Sequence, residues 1–290
     1  MAPNASWTRL VRFVAEDGKT YCGQPEDETM DVGLAFAAGE SIRVRVRSSE
    51  SVLDDNAELL DEYKEVKKLL SPLTAAETGA IRCVGLNYKD HAAEMKFDLP
   101  THPEIFLKPA SSLCSASDVI QLPKVAADEV DAEVELAVVI GKDCKNVARG
   151  DALQYVLGYT VANDMTARDV QRRGSQWSYC KGFDGFCPLG PTLVSARTLP
   201  DPSVLHVKTT LNETTMQTQD VSDMIFTIGE IIEYLSSGST LPKGTVILTG
   251  TPAGIGASKK PPKFLKEGDE LRVSISHGLG TLVNPLVLEK

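Results

Sequence analysis

The segment Asp131-Ala132-Glu133-Val134-Glu135-Leu136-Ala137-Val138-Val139-Ile140-Gly141 decides how the fold is read. Its apolar run predicts a strand from Glu133 to Ile140, in which residues two apart share a face. Glu133 and Glu135 then stand side by side, with Ala137 and Val139 behind them on that face. Two carboxylates on a surface turning apolar repel one another unless a cation neutralises them, and a hard divalent ion with oxygen ligands suits the pair. Taken alone, Glu-x-Glu also fits a solvated strand face. Asp131, at the strand entrance, reads as a turn residue.

Outward from this strand, the chain offers further short apolar runs at Arg82 to Val84, Gly158 to Ala162, Val204 to Leu211, Thr245 to Leu248 and Glu270 to Ile275. Helices are expected at Asp90 to Met95, Arg149 to Leu157 and Ser222 to Leu235, the last with Ile225, Ile228, Ile232 and Leu235 on one face. Strands and helices do not alternate regularly, so the expected fold class is α+β, mostly β, and a doubly wound parallel sheet is not expected. Toward the N-terminus, Thr8 to Ala15, Thr20 to Gly23 and Ser41 to Val46 read as strands. Leu53, Ala57, Leu60, Tyr63, Val66 and Leu70 recur every three or four residues, which predicts an amphipathic helix over Ser51 to Leu70 closed by Pro72. The composition changes near residues 71–80. The expected division is therefore a small N-terminal α/β domain, 1–75, and a metal-dependent catalytic domain, 76–290.

Composition bounds the function. The 290 residues carry 30 Lys+Arg against 40 Asp+Glu, a net charge of −10, and are 42% hydrophobic. That argues for a globular protein and against a nucleic-acid binder, whose affinity rests on excess basic charge. No stretch approaches the ~18 apolar residues of a membrane span. Met1 to Ala15 lacks a signal-peptide core; Arg9 and Arg12 lend it a weak transit-peptide flavour, but a strand is the better reading. Six cysteines without a Cys-x-x-Cys pair fit reduced intracellular thiols. The expected compartment is the cytoplasm, with the mitochondrion as alternative.

A second acidic position, Asp164, ends the apolar run Gly158-Tyr-Thr-Val-Ala-Asn163, where a rigid strand end can present a ligand. Asp169 is expected to pair with Arg168. His91 and Glu94, three apart on a helical turn, face the same way and could form a general-base dyad or merely an exposed contact. The loop Gly250-Thr251-Pro-Ala-Gly254-Ile-Gly256 is rich enough in small residues for its amides to approach a carboxylate. It lacks the spacing of a dinucleotide fingerprint.

In their order, Cys83-Val-Gly-Leu-Asn-Tyr88-Lys-Asp-His91-Ala-Ala-Glu94, Glu133-Val-Glu135 through Gly141, Asn163-Asp164 through Gln171, Lys181-Gly-Phe-Asp184 and Leu248-Thr-Gly-Thr251-Pro-Ala-Gly254-Ile-Gly256 resemble the fumarylacetoacetate hydrolase family. The resemblance runs from about residue 80 to the C-terminus. It implies a mixed β-roll or sandwich, a homodimer, and Mg²⁺ or Mn²⁺ held by Glu133, Glu135 and Asp164. It further implies that His91, Glu94 and Lys181 are catalytic, the first two on a segment that closes over ligand, and that Gln171 and Thr251 contact a small anionic 2-oxo acid. Met95 to Pro103, with Pro100 and Pro103, has the mixed composition of a mobile lid. Leu86 and Ala132 depart from the pattern, standing where relatives carry Arg and an aromatic residue.

The activity so implied is hydrolysis of a C–C bond in 2,4-dioxo acids of the acylpyruvate or fumarylacetoacetate type, through an enolate that the ion stabilises. The alternatives are decarboxylation or tautomerisation of oxaloacetate or a related diacid, and a catalytically silent binding protein. Retention of the acids, Lys181 and the His91–Glu94 pair together argues against the silent reading. A zinc hydrolase has little support: four histidines occur, none in a His-Glu-x-x-His helix.

Overall fold

The computed structural model describes residues 7–290; Arg9 and Arg12, which lent Met1 to Ala15 a transit-peptide flavour, lie in a strand as preferred, and the first six residues of that stretch lie outside the described part. Strands dominate: β1 (Arg9–Ala15), β2 (Thr20–Pro25), β3 (Arg43–Arg47), β4 (Leu59–Leu70), β5 (Ile81–Gly85), β6 (Glu104–Lys108), β7 (Leu113–Ser115), β8 (Ile120–Leu122), β9 (Val130–Asp131) and β10 (Val134–Ile140) fill the first half. The second half adds β11 (Val156–Asn163), β12 (Thr166–Ala167), β13 (Cys187–Ser195), β14 (His206–Leu211), β15 (Thr214–Asp220), β16 (Val246–Leu248), β17 (Glu270–Ile275) and β18 (Gly280–Leu288). The α-helices are short: α1 (Val32–Ala37), α2 (Ala75–Thr78), α3 (Lys89–Met95), α4 (Arg168–Gln171) and α5 (Ile228–Ser236). This is the α+β, mostly β class expected.

An 11-stranded sheet runs β2-β3-β4-β1-β13-β11-β10-β16-β5-β6, with β7 attached to β13. A five-stranded sheet, β15-β14-β17-β18-β8, packs against it. Between them lies the main core, where Leu136, Val138 and Ile140 of β10 meet Val207, Val273 and Leu282 of the smaller sheet. The opposite face of β10 sends Ala137 and Val139 into a second core with Leu10, Ile81, Leu189 and Leu193. Burial on both faces is why this strand is almost continuously apolar. β1 joins the N-terminal strands to the rest: Arg9 and Leu10 pair with β13, while Arg12 to Ala15 pair with β4.

Of the expected helix over Ser51 to Leu70, Leu59–Leu70 is instead β4, hydrogen-bonded to both β1 and β3, and residues 51–58 form turns and links. The series that suggested a helix does not mark one buried face: Leu60 is exposed, Tyr63, Val66 and Leu70 are half-buried, and Leu69, outside the series, is the strand's fully buried residue. A bulge between the pairs Val14–Lys68 and Ala15–Val66 leaves Lys67 unmatched, so Val66 and Leu69 both reach the N-terminal core of Val11, Phe13 and Val44. The expected helix from Ser222 begins only at Ile228, where Thr227 and Glu230 form a capping box. Ile225 lies in the preceding link. Arg149–Tyr155 forms a 3₁₀ segment rather than an α-helix. Among the described residues no helix is long and apolar enough to cross a membrane.

Candidate active site

The β10–β11 pairing assembles the acids. Val134 lies opposite Asn163, the Glu133 amide donates to Asn163 Oδ1 (3.0 Å) and the Asp164 amide to Glu133 O (2.9 Å). Glu133 and Asp164 are thereby held beside each other where the two strands end, and Glu135 projects from the same face two residues into β10. Ligand oxygens of Glu133, Glu135 and Asp164 all lie within 4.8 Å of one another, at 5%, 2% and 0% exposure. The side-by-side arrangement expected from alternation is present, and the solvated-face reading is excluded by this burial.

Three cations surround the acids. Lys181 Nζ donates to Glu133 Oε2 (2.8 Å), Asp164 Oδ2 (2.6 Å) and Thr166 Oγ1 (2.8 Å). Lys108 Nζ donates to Asp164 Oδ1 (2.5 Å) and Phe186 O (2.8 Å). Arg168 Nη2 reaches Glu133 Oε1 (2.6 Å) and Asp131 Oδ2 (2.9 Å). Burial pushes the Glu133 carboxyl up, but Lys181 and Arg168 outweigh it and hold the group far below the carboxylate range. Glu135 goes the other way: burial, then the charges of Asp164 and Glu133, raise it well above that range. The Gly250 amide donates to its Oε2 at 2.6 Å. Gly250 sits at φ +99, and a Cβ there would come within 2.7 Å of Asn87 Cβ, so glycine is needed for that amide to point inward.

His91 and Glu94 occupy α3, which is stapled to the loop after β16. Asp90 Oδ1 accepts from the Ala253 amide (3.2 Å), and Glu94 Oε1 accepts from the Gly254 amide (2.9 Å) and Ser258 Oγ (2.6 Å). The other Glu94 oxygen lies 3.0 Å from His91 Nδ1. Burial raises the Glu94 carboxyl, yet the bonds from His91, Ser258 and Gly254 together bring it below its ordinary value. His91, Lys181, Gln171 and Thr251 line one cavity of about 360 Å³ with the three acids; Glu94 backs the imidazole.

Several positions differ from expectation. Asp131 is no turn residue: it is buried in β9 and accepts from Arg168 Nε (3.0 Å) and the Gly256 and Ala257 amides (2.8 and 3.0 Å). Arg168 therefore pairs with Asp131 and Glu133, while Asp169 pairs with Arg173. The loop amides at 250, 253, 254, 256 and 257 are turned onto Glu135, Asp90, Glu94 and Asp131. Thr251 Oγ1 donates to Val134 O (2.9 Å) and accepts from Gln217 Nε2 (2.8 Å), while Gln171 Oε1 accepts from Arg168 Nη1 (3.1 Å). Lys108 went unnoticed in the sequence. Its signal was parity: in β6 the buried residues are Phe106 and Lys108, so a lysine falls on the inward face of a strand.

The donor set fits a hard divalent cation, being three clustered carboxylates with oxygen atoms alone. Burial first, and then the neighbouring charges of Asp164 and Glu133, disfavour the ionised Glu135 carboxyl, and a cation among the three would offset the second of these.

Residues 80–287 match the family model for the fumarylacetoacetate (FAA) hydrolase C-terminal domain. The chain is 41% identical to caffeoylpyruvate hydrolase of Neonothopanus nambi, covering 100% of this chain and 97% of that one. It is 43% identical to the mitochondrial oxaloacetate tautomerase fahd2 of Xenopus laevis over 83% of this chain and 75% of the relative. The crystal structure of 2-hydroxyhepta-2,4-diene-1,7-dioate isomerase from Mycobacterium marinum superposes with a TM-score of 0.80 at 34% identity, covering 97% and 99% of the two chains.

Proposed function

The chain belongs to the fumarylacetoacetate hydrolase family, and from that premise we propose that it is an enzyme cleaving the C3–C4 bond of 2,4-dioxo acids of the acylpyruvate type. The observation that carries this reading is His91, which lines one cavity with the buried trio of Glu133, Glu135 and Asp164 and is backed by Glu94. A base lining the same cavity as a cluster of buried acids is what water-dependent cleavage of a chelating substrate requires. The full-length likeness to a caffeoylpyruvate hydrolase supports it.

Glu133, Glu135 and Asp164 would hold Mg²⁺ or Mn²⁺, which supplies Lewis-acid polarisation of the 2-oxo and carboxylate oxygens. With the Glu94 carboxylate accepting from Nδ1, the imidazole keeps its proton there and leaves Nε2 as the base. His91 takes a proton from water, whose hydroxyl adds to the C4 carbonyl carbon. The C3–C4 bond then breaks, C3 takes up a proton, and the products are pyruvate and a carboxylic acid. Lys181 places fixed positive charge beside the oxygen that becomes anionic. Gln171 and Thr251 supply polar contacts along the wall. Every residue named lies within 76–290, which supports assigning catalysis to that part and leaving 1–75 as the smaller N-terminal unit. The family resemblance supports a homodimer, and a mitochondrial relative supports the mitochondrion as the alternative to the cytoplasm.

A second reading is favoured by the oxaloacetate tautomerase relatives: the same base could move a proton between C3 and oxygen, without water addition. Decarboxylation would use the same acids and release carbon dioxide from the far end. A metal-supplemented assay with acetylpyruvate and oxaloacetate, following pyruvate and enol absorbance separately, decides among them. Pyruvate from acetylpyruvate, reduced about 10²-fold in kcat by Glu94→Ala with KM little changed, is the expected result. Enol loss from oxaloacetate without pyruvate would replace hydrolysis by tautomerisation, and pyruvate from oxaloacetate alone would mean decarboxylation.

A further inference from the structure

The cavity lining is of two chemical kinds. One part is the acids, Lys181, Arg168 and His91; the other is apolar, made of Val84, Leu86, Met95, Phe97, Phe106 and Trp177. The aromatic part begins beside the charged part. Lys181 Nζ lies 5.1 Å from the centroid of Phe106, and the Phe106 and Trp177 rings meet edge-on at 5.5 Å. Trp177 is seated directly on the backbone of Gly85, where a Cβ would come within 2.5 Å of the indole. The ring therefore packs against the end of β5 where a glycine leaves it room. Phe97 and Met95 are exposed beside it, at 58% and 39%, as side chains are whose apolar surface has no partner within the chain.

The charges sharpen the contrast. Among the described residues lining this cavity the lysine and arginine side chains are Lys181 and Arg168, and both are fully engaged. Lys181 is held by Glu133, Asp164 and Thr166, and Arg168 by Asp131, Glu133 and Gln171. The remaining ionisable group on the wall formed by β5 and β6 is an acid, Glu104, opposite Gly85 in the pairing of those strands. A substrate carboxylate projecting toward that wall would find no cation among its lining residues and approach a like charge. An aryl ring would instead stack within reach of Phe106 and Trp177.

We infer that the acyl group accepted by this site is an uncharged aromatic one, so that the substrate class is the aroyl- and arylacryloyl-pyruvates and not 2,4-dioxo acids ending in a second carboxylate. The inference rests on the acylpyruvate reading given above. Water and an aroylpyruvate give pyruvate and the aromatic acid, the hydroxyl going to the acyl carbon and a proton to C3. Trp177 and Phe106 receive the ring, and Glu104 rejects a distal anion.

The test compares benzoylpyruvate, its para-carboxylated analogue and acetylpyruvate with the Mg²⁺-loaded enzyme. Benzoylpyruvate should exceed the carboxylated analogue in kcat/KM by at least about 100-fold. Trp177→Ala should lower kcat/KM for benzoylpyruvate far more than for acetylpyruvate, and Glu104→Lys, at an exposed position, should narrow the gap by favouring the carboxylated analogue. Equal or better turnover of the carboxylated compound would overturn the inference while leaving hydrolysis standing. Silence toward all three would remove the hydrolase reading instead. In that event titration calorimetry with the same compounds and Mg²⁺ still judges the wall: preferential binding of benzoylpyruvate upholds it, and indifference to the added charge rejects it.

Discussion

Lys108 and Asp164 are 56 residues apart in the chain, and both side chains are wholly buried in a 2.5 Å ion pair. Removing Lys108 leaves Asp164 with only Lys181, already shared with Glu133, as counter-charge in the interior, and an under-compensated buried charge is a larger loss than the pair itself contributes. Lys108→Met should therefore lower stability by about 3–5 kcal/mol in denaturant unfolding. Asp164→Asn/Lys108→Met should recover part of that, because the stranded charge is gone. Glu94 gives a pH-dependent counterpart. Its folded-state carboxyl lies below its ordinary value of 4.5, so its stabilising contribution is complete above that value and is lost as the pH falls through the folded-state value. The melting-temperature difference between the protein and Glu94→Gln should accordingly shrink between neutral pH and about pH 3.5. A difference that grows on acidification would contradict the bonding described for Glu94. The acids themselves were legible as residues, since Glu133 and Glu135 alternate and Asp164 closes an apolar run. Their counter-charges were not, because Arg168 beside Asp169 in sequence says nothing of Asp131 at 3.0 Å across the fold.

At the scale of elements, the loop after β16 does more than its small residues suggest. Its amides hold Glu135, Asp90, Glu94 and Asp131 in place, so one loop sets the positions of a proposed metal ligand and of the helix bearing the proposed base. Gly250 is the strictest point. Gly250→Ala puts a side chain at positive φ and against Asn87, which should cost about 1–3 kcal/mol and weaken divalent-ion binding measured by calorimetry. Unchanged binding in a folded Gly250→Ala protein would mean that the amide does not position Glu135. β4 shows where periodicity misleads: Leu60, Tyr63, Val66 and Leu70 mix exposed and half-buried positions of a strand, and a bulge beside Val66 shifts which residues turn inward. A bulge is dictated by the partner strand, and no local window contains that partner.

For the whole molecule, the two sheets enclose the main core, and the cavity opens where β5, β6, β10 and β11 end around α3 and the loops following β11 and β16. A divalent ion that binds the folded trio and not the dispersed unfolded residues must stabilise the protein. At 100 times its dissociation constant Mg²⁺ or Mn²⁺ should add about 2.7 kcal/mol, readable as a raised melting temperature that Glu133→Gln abolishes. No shift with either ion, in a protein that remains folded, would count against a metal at this site. The sequence by itself determined the class of fold, the positions of most strands and the three acids, because alternation, apolar runs and strand ends are local properties of the chain. The tertiary structure alone decided which charges balance those acids, that the Gly254 amide and Ser258 fix Glu94 behind His91, and that aromatic side chains line the cavity beside the charged ones. Those facts depend on contacts between segments tens of residues apart, and burial, which converts an ordinary lysine or aspartate into an obligatory partner, exists only once the sheets have closed.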